Sequence, residues 1–400
     1  MHLKQYGIIL AALLMAACQD EEAVEITVSR DAVPIVFDCG LDTESTRAAN
    51  GYTGNLTHEN NQLRYAGFGV FMAHDATSGP DIMFNQQVEY HFLADGSGKG
   101  YWTYSPLKYW PAQAVGVRFY AYAPYVDKPA TDFQNNPANT GIVGMSSNTD
   151  TKPFILYARV KHPEDHVDLL WYSLKVTESI LTQTTDGDWR PSKPVKMEMH
   201  HALARVKVSL GITDDNDAGA TALNATDKLL IERVTFRGNL AKKGTLDLTT
   251  LGTSTPPIPS WSAQELADPA TTTDTENTIF IDCNPETNAD SYGIIAESAR
   301  YIQGLPYSWQ PAGVPHVIYD SADATTETNL ICMGDVPSYL YLIPQEDLTL
   351  SCIIDYSIIT AAGIRTAYHK TLNDGTSISI APLNGNTTYD LTLKLKFNLP

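Results

Sequence analysis

Residues 389–397 read Tyr-Asp-Leu-Thr-Leu-Lys-Leu-Lys-Phe, so that Leu391, Leu393, Leu395 and Phe397 alternate without a break with Asp390, Thr392, Lys394 and Lys396. Successive side chains of an extended chain point to opposite faces, which makes this stretch a strand with one buried and one wet face. It ends three residues before the C-terminus, and either completes its own sheet or is available to complete a neighbour's. The same period recurs upstream. Runs at 33–37, 67–72, 86–93, 116–123 and 168–174, and then at 204–210, 229–237, 278–281, 339–343, 348–358 and 364–372, are rich in β-branched and aromatic residues. Clusters of Gly, Asn, Asp and Pro separate them, as turns separate strands. Helical periodicity beyond about ten residues is almost absent, so the reading is an all-β chain.

A chain of 400 residues, at roughly 100–200 per domain, suggests two domains. The composition shifts at 186–194, which divides the chain into an N-terminal β-sandwich over 48–193 and a C-terminal one over 194–400.

The N-terminus has the order of a secretory signal: Lys4, an apolar run over 6–15, then Ala16-Ala17-Cys18. The run is too short to span a bilayer, which takes about 20 apolar residues. A cysteine directly after two alanines is where bacterial lipoprotein processing attaches its diacylglycerol. Residues 1–17 are therefore read as a lipoprotein signal peptide and Cys18 as the lipidated N-terminus that holds the protein to the outer membrane.

Lys and Arg number 27 against 46 Asp and Glu, a net charge of −19, and loss of Lys4 with the signal takes it to −20. Nucleic acid is a disfavoured partner, because binding phosphate needs clustered cations and no basic stripe is present. Cys39, Cys283, Cys332 and Cys352 remain after Cys18 and are too few and scattered for a disulfide scaffold. Cys39, Cys332 and Cys352 sit in apolar alternating runs, where free cysteine acts as a small hydrophobe; an oxidised Cys332–Cys352 pair stays open. No Cys-x-x-Cys exists to hold zinc.

No catalytic, cofactor or metal site emerges. His162, Glu164, Asp165 and His166 crowd five residues, but Pro163 argues against the helix that would turn both rings to one side. Asp214-Asp215-Asn216-Asp217 is closer to a turn than to a calcium loop, since Ala218 stands at a ligand position. His200-His201 enters an alternating strand, so one ring is expected in the core and one in water. No nucleophile elbow, phosphate-cradling loop or His-Glu-x-x-His pair is present. Tyr101 to Trp110 packs tryptophans and tyrosines around Pro106. This is a core plug at a sandwich corner, or, in the alternative reading, the platform of a surface glycan-binding lipoprotein.

Several strings are specific: Val-Pro-Ile-Val-Phe at 33–37, Thr-Arg-Ala at 46–48, Phe-Gly-Val-Phe at 68–71, Met-Phe-Asn-Gln at 83–86 and Tyr-Ser-Pro-Leu-Lys-Tyr-Trp-Pro at 104–111. Phe-Tyr-Ala-Tyr-Ala-Pro at 119–124, Val-Asp-Leu-Leu-Trp-Tyr at 167–172, Tyr-Leu-Ile-Pro-Gln at 341–345 and Pro-Leu-Asn-Gly at 382–385 continue the series. Together they closely resemble the Mfa-like fimbrillins of Bacteroidales, over nearly all of the mature chain and least over 218–337. Gln19-Asp20-Glu21-Glu22 likewise resembles the acidic tag of Bacteroidetes lipoproteins sent to the cell surface.

The resemblance implies two transthyretin-like (immunoglobulin-like) β-sandwich domains in a subunit of a type V fimbria, a surface pilus with a role in adhesion. It also implies maturation by an arginine-specific protease that frees the first strand, leaving a groove that a strand of another fimbrial subunit fills by β-augmentation. On this chain the pro-segment is 18–47, the removable strand lies at 33–37, the cut follows Arg47, and Arg30 is the runner-up. The chain stops directly after its last strand, which leans the reading to a tip or minor subunit. A host or bacterial surface receptor would be a further partner.

Overall fold

The computed structural model describes residues 33–41, 62–74, 79–111, 114–127, 141–147, 150–159, 168–177, 181–183, 189–190, 194–214, 220–222, 224, 227–250, 257–268, 277–282, 328–329, 339–360, 362–372 and 378–398. The first half holds β1 (Phe37–Leu41), α1 (Gln62–Ala66), β2 (Phe68–Ala73), β3 (Met83–Phe92), β4 (Gly100–Thr103), β5 (Arg118–Ala123), β6 (Gly141–Met145), β7 (Phe154–Ala158), β8 (Leu170–Lys175), β9 (Thr182–Gln183), β10 (Trp189–Arg190) and β11 (Val195–His201). Apart from the single turn of α1, the regular structure described is β, as the alternation implied.

Seven of these strands form one sheet in the order β1-β11-β8-β5-β2-β3-β4. β11 begins just past Pro194 and yet lies between β1 and β8 of this sheet. Strand β2 is buried at all six positions and β5 at five of its six, because the sheet is covered on both faces. On one face Phe68, Val70, Met72, Phe119 and Ala121 meet Phe37, Cys39 and Trp102. On the other, Phe71, Tyr120, Tyr122 and Trp171 meet Ile142, Ile155, Tyr157 and Leu246.

The second half adds β12 (Ala204–Asp214), β13 (Thr221–Ala222), β14 (Lys228–Gly238), β15 (Ala241–Asp247), β16 (Ser260–Leu266), β17 (Thr278–Asp282), β18 (Thr328–Asn329), β19 (Tyr339–Leu342), β20 (Leu348–Ile359), β21 (Arg365–Thr371), β22 (Ile378–Ile380) and β23 (Thr388–Asn398). Two five-stranded sheets, β13-β23-β12-β18 with β19 on β12, and β17-β14-β20-β21 with β22 on β20, enclose a second core. Tyr356 of one packs edge-on against Phe397 of the other, their ring centres 5.6 Å apart. Strand β23 completes its own sheet: it runs parallel to β12 over ten residue pairs and buries Leu393, Leu395 and Phe397.

Besides the short β10–β9 ladder, a four-stranded sheet, β16-β15-β7-β6, takes two strands from each half. Its central ladder is antiparallel, from Lys243 opposite Ala158 to Asp247 opposite Phe154. Arg159, almost fully buried, reaches from the end of β7 to the carbonyl of Ala241 at 3.2 Å and that of Thr278 at 3.3 Å.

Candidate functional site

The geometry centres on residues 33–41. Pro34 has no amide to give to a ladder, and the regular strand starts later than the expected 33–37, at Phe37. Alternation nevertheless runs through both parts: Ile35, Phe37 and Cys39 are buried, while Pro34, Val36 and Asp38 face outward. Strand β1 lies at the end of the seven-stranded sheet, parallel to β11, with Phe37 opposite Val195 and Cys39 opposite Met197. The amide of Val195 donates to the carbonyl of Val36 at 2.7 Å.

The sheet curls until its far end reaches back to this strand. Pro34 bridges Tyr109, the amide of Ile35 donates to Lys108 at 2.9 Å, and the amide of Trp110 donates to Val33 at 3.0 Å. From the same segment the Tyr104 hydroxyl donates to the carbonyl of Ile35 at 2.8 Å, and the Trp102 indole donates to that of Cys39 at 3.2 Å. Burial raises the Tyr104 phenol above its ordinary range, opposed by its hydrogen bond to the Lys108 backbone. Phe37 inserts its ring among Phe68, Tyr104 and Phe119, with centres 6.0, 5.5 and 6.0 Å away, an aromatic pocket of tilted and edge-on contacts.

The aromatics of 101–110 therefore divide. Trp102 and Tyr104 are buried against β1, Trp110 is half-buried on Phe119, and Tyr101 and Tyr109 are exposed. Most of the cluster is core, and its role as the wall of the groove under β1 was not legible, because pairing across about seventy residues leaves no local period.

Cys39 and Cys352 are free, buried thiols. Burial, and then the neighbouring Asp38 carboxylate, push the Cys39 thiol well above its ordinary value. Cys18, Arg30, Arg47, Cys283, Cys332 and the 162–166 cluster lie outside the described residues. Among the described residues no group of three or more His, Cys, Asp or Glu side chains is arranged to hold a metal, and no helix is long and apolar enough to cross a membrane. His200 and His201 are both buried, against the expectation of one wet ring, because the sheet is covered on both faces. His200 packs near the rings of Trp171 and Tyr172, and His201 Nδ1 lies 2.9 Å from Asp168 Oδ2.

A family model described as fimbrillin-like matches residues 46–398. Fimbrium subunit Fim1C of Phocaeicola vulgatus is 23% identical over 218 residues, which are 52% of this chain and 50% of that protein, so the match spans about half the relative's length. Among solved structures, a candidate cell adhesion protein from Bacteroides uniformis aligns over 92% of this chain and 94% of that one, at 11% identity and a TM-score of 0.38. The fimbrial anchor protein Mfa2 from Porphyromonas gingivalis aligns over 85% of this chain and 82% of its own, at 9% identity and a TM-score of 0.27.

Proposed function

The chain belongs to the fimbrillin-like family, and we propose that it is a structural subunit of a type V fimbria, exported as a lipoprotein through Cys18 and matured by an arginine-specific protease that cuts after Arg47. The cut frees β1, and a strand of another fimbrial subunit takes its place. The outer membrane, reached through the lipid, is the site of display, and the role is adhesion. In this reading the two transthyretin-like sandwiches divide less cleanly than 48–193 and 194–400, since β11 belongs to the first sheet and β15 and β16 pair with β7 of the first half.

One observation carries this reading. Strand β1 is a terminal strand of its sheet, it alternates strictly, and its buried face fills a pocket of rings contributed by other strands. A segment held in that way is replaceable by any extended chain that offers the same backbone and a similar apolar face. Strand β23 is consumed in its own sheet, which favours a tip or minor position, where a subunit accepts a strand without giving one.

The test is limited proteolysis of the purified full chain with an arginine-specific protease, reading the new N-terminus by mass spectrometry and following exchange with a partner subunit by gel shift. The expected result is one early cut after Arg47 and a stable body that takes up a foreign strand. Resistance at both Arg47 and Arg30, or a cut body that never exchanges, would overturn the proposal.

A further inference from the structure

Residues 33–41 are held along both edges, although they form a terminal strand. Towards β11 the hold is main chain to main chain, with the carbonyl of Val36 accepting from Val195. Alternate carbonyls of an extended chain point to alternate sides, so those of Ile35 and Cys39 point the other way. There they meet two side-chain donors, the Tyr104 hydroxyl at 2.8 Å and the Trp102 indole at 3.2 Å. Both donors are more than nine-tenths buried, at 8% exposure each. A carbonyl is the same on every residue, so this hold is blind to the side chains of whatever lies in the groove. The aromatic pocket between the two grips, filled by Phe37, is not blind.

We infer that Trp102 and Tyr104 form a backbone clamp that seats the replacing strand and sets its register, grasping carbonyls four residues apart with an aromatic or bulky apolar side chain midway between them. This inference rests on the strand-exchange reading above. The occupant is an extended segment of a second protein, with alternate residues in the order bulky apolar, aromatic, small, as in Ile35, Phe37 and Cys39. This chain's own β23 does not serve, because its apolar face is committed to the second core.

The test reads thiol exposure in the full chain. Cys39 reports opening of the groove and Cys352 reports opening of the second core, with labels located by peptide mass spectrometry. Tyr104→Phe keeps the ring and loses only the hydroxyl, which leaves a buried carbonyl without its donor. It is expected to speed Cys39 labelling roughly tenfold and leave Cys352 unchanged. Trp102→Phe is the second variant, and Tyr109→Phe the control. Equal Cys39 rates in Tyr104→Phe and wild type, or parallel acceleration of both thiols, would overturn the clamp.

A fluorescent peptide of residues 33–41 then separates the two readings on the protease-treated protein. Binding that weakens roughly tenfold in Tyr104→Phe supports clamp and exchange together. Equal binding to variant and wild type removes the clamp and leaves exchange standing. No binding to wild type removes exchange, and with it the clamp's foreign occupant.

Discussion

His201 and Asp168 lie 2.9 Å apart, Nδ1 to Oδ2, with their side chains 1% and 0% exposed. The two side chains meet inside the core at hydrogen-bonding distance. Their contact ties the end of β11 to the chain entering β8, beside the amide of Ala202 that donates to Leu169 at 2.7 Å. Changing one member of a close, fully buried polar pair weakens the hold between the elements it joins. Asp168→Asn is therefore expected to cost about 1–3 kcal/mol, read as a lower urea midpoint with an unchanged slope.

Two neighbours in the first strand should respond oppositely to substitution. Phe37 is 4% exposed and Val36 is 44% exposed. Phe37→Ala empties the aromatic pocket and is expected to cost about 3–4 kcal/mol, whereas Val36→Thr stays within about 0.5 kcal/mol. Thermal unfolding of the two variants checks the pair; similar losses in both would contradict the facing.

Glycines 238 and 40 form a second contrasting pair. A Cβ on Gly238 would stand 1.9 Å from the carbonyl oxygen of Thr349 on the adjoining strand, while one on Gly40 meets nothing within 4 Å. Gly238→Ala must push apart the β14–β20 ladder and is expected to destabilise by about 2 kcal/mol. Gly40→Ala restricts only the unfolded chain and should stabilise by about 0.5 kcal/mol. Denaturant titration at fixed pH distinguishes the two signs.

Alkaline sensitivity should trace in part to Cys352. Burial pushes this thiol from an ordinary 9.0 up to about 12. Because the folded value is raised, the contribution is complete below about pH 9, where both states hold the proton. It is lost as pH climbs from there towards 12, where only the unfolded chain ionises. Between pH 9 and 10 the expected loss is about 1 kcal/mol. Cys352→Ala should flatten the stability profile over that interval by a similar amount; an unchanged slope would count against the assignment.

Much of the fold was legible where one face is wet. The alternation at 389–397 became β23 with Leu393, Leu395 and Phe397 buried, and 348–358 became β20. The four-stranded sheet was not legible. Gly141–Met145 is buried at every position and shows no period, and Ala241–Asp247 carries Lys242, Lys243 and Gly244 in succession, which break the alternation. Gly244 is small because the Trp261 ring lies on it, where an added Cβ would come within 2.9 Å, and Lys242 is steadied by Glu265 at 2.9 Å. The candidate site was half legible. The strand and its buried residues were in the local pattern, but its partners at 104–110 and 195–199 lie too far along the chain for any pattern to show.

The sheet drawn from both halves has a mechanical meaning. Separating the halves would not simply open a hinge, since the five facing pairs from Lys243–Ala158 to Asp247–Phe154 must break with it. Loaded along the strands, such hydrogen bonds share the force and yield together rather than one after another. The two halves are thus laced by a ladder that resists sliding, and neither can be freed without cutting into a sheet that both share.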